Sequence, residues 1–214
     1  MNDLVFNYKD TAYTDSLCIA DGGGIEHRAI LQLIKNHLED LQDFGRVTFE
    51  MRPFETNGGT QKTRVCRLNK EQATFLVTLM KNTKTVVAFK KELVKQFYQM
   101  EYFIRTLVET RREFPLLTDN IKLLHENPRP YHFSNECDML NRIVIGKTAK
   151  QFRQEHGIPK GESIRPYLNA EQINMLDILQ KVDIGLLVSV SDYEQRKRYL
   201  EWYKLKMEEK RMIA

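Results

Sequence analysis

A chain of 214 residues, 42% hydrophobic and 29% charged, is long enough for one good core plus a second small domain or helical tail. It has no apolar run near the roughly 20 residues that a membrane-spanning helix needs, and its three scattered cysteines fit neither a disulfide framework nor a zinc site. The net charge of +4 permits a nucleic-acid partner without demanding one, so the placement of charge matters more than the total.

Residues 1–15 lack the basic start and apolar core of a secretory signal, and Val5, Phe6, Tyr8 and Tyr13 predict a short lead-in strand. Reduced Cys18, Cys66 and Cys137 and the missing signal point to the cytoplasm. Ser16 to Phe44 is the stretch around which the chain is organised. Leu17, Ile19 and Ala20 predict a short helix, and Gly22, Gly23 and Gly24 a tight turn. From His27 onward Ile30, Leu31, Ile34, Leu38 and Leu41 recur at three and four, predicting one amphipathic helix to Phe44. Its polar flank carries His27, Arg28, Gln32 and Lys35. In a helix–turn–helix the start of the second helix usually enters the DNA major groove. An ordinary surface helix fits the same periodicity.

Arg46 to Phe54 alternates apolar and polar residues and predicts a strand; Glu55 to Thr60, through its Asn57-Gly58, predicts a hairpin turn, and Gln61 to Leu68 the return strand. Residues 45–70 hold Arg46, Arg52, Lys62, Arg64, Arg67 and Lys70 against only Glu50 and Glu55. A basic hairpin directly after a helix–turn–helix is placed like a wing that touches phosphates, with Arg52, Lys62, Arg64 and Arg67 as the reaching groups. The plain alternative is an edge hairpin whose charges prevent pairing with other strands.

Asn69 with Gln72 predicts a capped helix over Ala73 to Met80. A long helix follows from Val86 to Glu113, on a near-heptad stripe that includes Phe89 and Leu93. Its first half is expected to cover the N-terminal core, and its second, through Phe97, Met100, Ile104 and Leu107, to meet a second copy in a homodimer. Pro115 is expected to end that helix, followed by a short helix to Glu126 and a proline-containing linker. From Ser134 a helical unit is expected: a helix to Ile145, another over Thr148–His156, a structured loop at 158–168, a helix over Asn169–Val188, and a terminal helix capped by Asp192. Trp202 and Tyr203 are expected to pack on the preceding helix. The organisation is thus 1–114, a linker at 115–134, and 135–214. The fold class is α+β and mostly helical: a winged-helix-like N-terminal domain with a basic β-hairpin, a long central helix and an all-α C-terminal domain.

The chemistry of enzymes is not in evidence. His27, His37, His125, His132 and His156 have no ligand spacing, Gly22–Gly24 is not a phosphate-binding loop, and no nucleophile elbow occurs. No catalysis, metal, membrane contact or small-molecule cofactor is expected.

Ser16-Leu-Cys-Ile-Ala20, Gly24-Ile-Glu-His27-Arg28-Ala-Ile, the arginine-flanked strand ending at Leu68, the helix Gln72–Leu79, and Phe89-Lys-Lys-Glu-Leu-Val-Lys-Gln-Phe97 through Glu101 together resemble the phage regulatory proteins of the Rha type. The resemblance covers about half of the chain. It implies a phage or prophage protein controlling gene expression in a bacterial cell, with an N-terminal part that binds double-stranded DNA. Where that family often carries a lysine or arginine immediately before its histidine, Ile25 and Glu26 stand here. Asp138 through Arg153 and Ile164-Arg-Pro-Tyr-Leu168 resemble the tails of phage antirepressor-like proteins, which implies an alternative: an antirepressor that contacts a phage repressor through its C-terminal helices. A third reading is a helical structural protein whose charges only maintain solubility.

Overall fold

The computed structural model describes residues 3–56 and 59–213. It is 69% helical, with one small antiparallel sheet near the N-terminus, so the α+β, mostly helical class holds. The chain divides into two compact units, Met1–Ile104 and Arg105–Ala214.

The first unit begins with a hairpin where one strand was expected: β1 (Phe6–Tyr8) and β2 (Thr11–Asp15) pair antiparallel, with Tyr8 opposite Thr11. The two-residue turn between them is Lys9-Asp10, both at positive φ (52° and 57°). That is the handedness a tight hairpin needs, reached without the usual glycine or asparagine.

Asp15 caps α1 (Ser16–Gly23), its carboxylate accepting the N–H groups of Leu17 and Cys18 at 2.9 and 2.8 Å. Gly24 ends α1 at φ 60°. Then come α2 (His27–Asn36) and α3 (Leu38–Gln42). The single helix expected from His27 to Phe44 therefore breaks at His37, whose φ of −118° and ψ of 32° leave the helical region. The break lets the chain turn toward the helix that follows the sheet. There Leu41 is fully buried and its carbonyl accepts the Gln72 side-chain amide at 3.2 Å.

β3 (Thr48–Thr56) and β4 (Gly59–Asn69) form the second hairpin, paired from Thr48–Arg67 to Thr56–Gly59. The expected Asn57-Gly58 turn lies outside the described residues. β2 pairs with β4, giving the order β1-β2-β4-β3. Asn69 and Gln72 form the expected capping box of α4 (Lys70–Thr78). Ile19, Ile30, Ile34, Leu68, Leu76 and Leu93 are among the side chains closing one core with the sheet.

The long helix α5 (Lys84–Leu124) does not stop at Pro115; it continues for another nine residues. A proline inside a helix costs about 3 kcal/mol. Just beyond it Leu117 and Ile121 are almost completely buried, and burying two such side chains contributes about 1.5–3 kcal/mol each, enough to outweigh the loss. Phe97 and Ile104 belong to the first unit's core, Met100 packs against it half-buried, and Leu107 is wholly buried. Three of the four residues expected at a contact with a second copy are thus buried within the chain, and Met100 keeps part of its surface exposed.

In the second unit α6 (Pro130–Ile145) starts four residues before the expected Ser134 cap, because Pro130 at the first helical position loses only an N–H that has no helical partner anyway. Gly146 ends it; α7 (Ala149–His156), a 3-10 turn at Arg165–Tyr167, α8 (Ala170–Ser189) and α9 (Tyr193–Ile213) follow. Met139, Leu140, Ile173, Leu176, Leu179 and Leu200 supply buried apolar surface. Trp202 was expected to pack on α8 but is 56% exposed; the fully buried residue of that stretch is Leu200, two positions earlier. No helix among the described residues is long and apolar enough to cross a membrane.

Candidate nucleic-acid interface

The site is the outer face of α2 with the adjoining surface of the β3–β4 hairpin. On α2, Ile30 and Ile34 are buried, which turns Arg28, Gln32 and Lys35, spaced by four and three, to the opposite, exposed side. On the hairpin, register sorts the basic residues. Directly opposed residues share a face, and Met51 opposes Arg64 while Phe49 opposes Cys66. Arg64 and Lys62 therefore belong to the face of Phe49 and Cys66. Thr48 opposes Arg67 and Arg52 opposes Thr63, which puts Arg52 and Arg67 on the other face.

Between helix and hairpin lies a groove of about 400 Å³ lined by Arg28, Leu31, Gln32, Lys35 and Leu38 from the helical side and by Phe49 and Arg64 from the strands. Its lining includes three cations and no carboxylate. The Arg64 guanidinium lies 3.8 Å from the centre of the Phe49 ring, which holds a mobile side chain at the groove wall. Gln32 donates its amide to Asn36 Oδ1 at 2.7 Å, one turn on. Lys62 is exposed on the face of Arg64. Of the apolar part of the groove, Leu31 and Leu38 were read from sequence only as part of the helix's apolar stripe, and Phe49 was not singled out. The alternation of the strand, which sets Phe49 beside Arg64, was the available signal.

Arg52 and Arg67 are built into the protein itself. Arg52 donates to Asp15 Oδ2 at 2.8 Å and to Glu50 Oε1 at 2.6 Å, and Arg67 donates to the other Glu50 oxygen. The Arg67 guanidinium also lies 3.8 Å from the Tyr8 ring centre. These contacts hold the Glu50 carboxyl below its ordinary range, chiefly through the Arg52 hydrogen bond. The network joins β1, β2, β3 and β4 across one face of the sheet, so these arginines stiffen the hairpin that carries Arg64.

His27 stands at the first position of α2, half-buried, with Nε2 2.8 Å from Ser16 Oγ. Burial pushes its pKa below the ordinary value, against the pull of Asp15 and Asp21. A neutral ring can accept the Ser16 proton, and Ser16 Oγ in turn accepts the Cys66 N–H at 3.0 Å. His27 thus fastens the start of α2 to α1 and β4, while Arg28, the next residue, is exposed.

Among the described residues no cluster of three or more histidine, cysteine, aspartate or glutamate side chains is placed to hold a metal ion. Burial raises the thiols of Cys18 and Cys66 to about 11 and about 12, leaving both protonated and poorly nucleophilic.

A comparison with protein families bears on this unit. Residues 14–102 match phage regulatory protein Rha. The matched Rha segment runs from the end of β2 to the middle of α5 and takes in the whole groove. It supports a phage regulatory role. The second unit lies outside the Rha match, so the likeness of its helices to antirepressor tails is not part of it. No curated protein matches the chain.

Proposed function

We propose that this protein is a phage-encoded regulator that binds duplex DNA through its first unit, with α2 entering the major groove and the β3–β4 hairpin lying along the backbone. The single observation that carries this reading is the groove in which Arg28, Gln32 and Lys35 face Arg64 with no carboxylate in the lining. Phosphates attract such cations regardless of sequence, while glutamine and arginine can also read base edges. The element order supports it as well. A strand (β2), three helices and then a hairpin whose second strand, β4, pairs with β2 is an arrangement that presents helix and wing together, in the manner of a winged helix.

The test is binding of a fluorescent duplex of about 30 base pairs, titrated with salt. The logarithm of the association constant should fall with the logarithm of salt by about 0.9 per phosphate neutralised. Affinity that stays constant from low to moderate salt would remove DNA as the partner.

One observation favours a second activity. α9 exposes Tyr199, Trp202 and Leu205 at 45, 56 and 58%, spaced by three along one helix. An exposed aromatic and aliphatic stripe fits a protein contact, as an antirepressor reading requires. Trp202→Ala should then weaken capture of a phage repressor while DNA binding persists. Unchanged capture would rule the stripe out.

A further inference from the structure

The second unit contains a cavity of about 420 Å³ between α6, α7 and the loop at 161–165. This falls within the size range of small-molecule sites. Phe114, Leu140, Ile164 and Leu176 give it apolar walls, and two guanidinium groups, those of Arg153 and Arg165, line it.

Among the described residues, the hydrogen bonds that the two arginines donate go to neutral acceptors. Arg165 donates to the Thr110 carbonyl at 3.3 Å and to the Gln180 side-chain oxygen, and Arg153 donates to the Glu162 carbonyl at 2.9 Å. Burial lowers the Arg165 pKa, the sign of a cation partly stripped of water. A desolvated cation held by neutral acceptors gains most from an anion that can reach it. The single carboxylate in the lining, Glu162, already accepts the Tyr167 hydroxyl at 2.8 Å. Two cations against one engaged carboxylate favour a ligand of one negative charge over a phosphate dianion. The apolar walls call for a hydrocarbon body behind it.

We propose that this cavity is a binding site for a small monocarboxylate with an apolar body, the carboxylate lying between Arg153 and Arg165. Arg165 is tied into the fold through Thr110 and Gln180, so Arg153 is the residue to test.

The experiment titrates the full-length protein with 4-phenylbutyrate and with its uncharged analogue 4-phenylbutyramide, following backbone amide signals by NMR. The acid should shift signals of 149–153 and 161–165 saturably, and the amide should bind about tenfold more weakly for want of a charge-assisted hydrogen bond. Arg153→Gln should reduce acid binding by about tenfold, Arg153→Lys by less, and Lys150→Gln, a neighbouring exposed lysine, not at all. Unchanged spectra of Arg153→Gln away from the cavity would establish that it folds; were they altered, the acid–amide comparison on the unmodified protein decides. Equal affinity for acid and amide, no saturable shift by about 10 mM acid, or an effect of Lys150→Gln as large as that of Arg153→Gln would each overturn the proposal.

Discussion

Nε2 of His27 and Oγ of Ser16 stand 2.8 Å apart, and that oxygen is also the acceptor for the Cys66 N–H at 3.0 Å. Ser16 is completely buried, so Ser16→Ala leaves a buried strand N–H without its acceptor and a ring nitrogen without its donor. The expected cost is about 1–3 kcal/mol, read from urea unfolding. The same pair sets a pH dependence. Because burial holds the folded His27 pKa below the unfolded value near 6.5, the unfolded chain takes up protons first as pH falls. This histidine's contribution is present above about 6.5 and is lost as pH falls through the lower folded value. His27→Gln should flatten stability over that window; a slope unchanged by the substitution would mean that His27 is not its source.

On the proposed function, the two faces of the hairpin divide DNA contact from stability. Arg28→Ala, Lys35→Ala and Arg64→Ala should each weaken binding to any duplex and reduce the salt slope by about 1, with little change in melting temperature. Arg52→Ala should instead lower the melting temperature, because it leaves the buried Asp15 carboxylate without its cation. Its salt slope should stay near that of the unmodified protein. Should Arg52→Ala lower the slope as much as Arg64→Ala, the division of the hairpin into a binding face and a structural face would be abandoned.

That division was partly legible in the sequence. The strands and the excess of basic residues are local signals, and β3 and β4 stand where the alternation put them. Summing the charge, however, merged residues that alternation separates: Arg64 and Arg67 are three apart, an odd spacing that sets them on opposite faces. The cap of α4 was readable because Asn69 and Gln72 satisfy each other within one turn. The break at His37 and the passage of α5 through Pro115 were not. Both depend on distant partners, Gln72 for the first and the burial of Leu117 and Ile121 for the second. The first hairpin was missed because Lys9-Asp10 carries no glycine.

That turn makes its own prediction. Lys9 and Asp10 sit at φ 52° and 57°, where a side chain costs about 1–2 kcal/mol per residue. Asp10→Gly removes one such penalty and completes a favoured hairpin turn, so it should raise stability by about 1 kcal/mol, net of the extra freedom glycine gives the unfolded chain. A loss of stability would mean that Asp10's own contacts outweigh the strain.

Gly22 was read as part of a turn, but it lies inside α1, and a Cβ added there would come within 2.2 Å of the Phe89 ring. Gly22→Ala should therefore cost about 1–3 kcal/mol by overpacking, even though alanine is the better helix former. Combining it with Phe89→Leu should recover part of the loss, since the smaller side chain vacates the space the Cβ needs. Costs that simply add would show that the two positions do not meet.

Asp183 carries the strongest pH prediction. It is fully buried on α8, and neither of its carboxylate oxygens accepts a hydrogen bond among the described residues. Arg196 approaches to 3.8 Å, but its guanidinium is committed to Glu136, to which it donates at 3.0 and 2.7 Å. Two buried carboxyls thus share one cation. Glu136 holds it, and Asp183 carries the proton, its pKa pushed up to about 7 by burial and then by the charge of Glu136. A folded pKa raised above the ordinary 3.8 means that the folded chain binds the extra proton between those values. Stability from this group is complete below about 3.8, declines as pH rises through the window, and levels off above about 7. Asp183→Asn keeps the shape and removes the charge, so it should raise the melting temperature clearly more at pH 8 than at pH 5. Equal shifts at the two pH values would show that Asp183 is not titrating in the folded protein, and a loss at both would mean that its ionised form is needed beside Arg196.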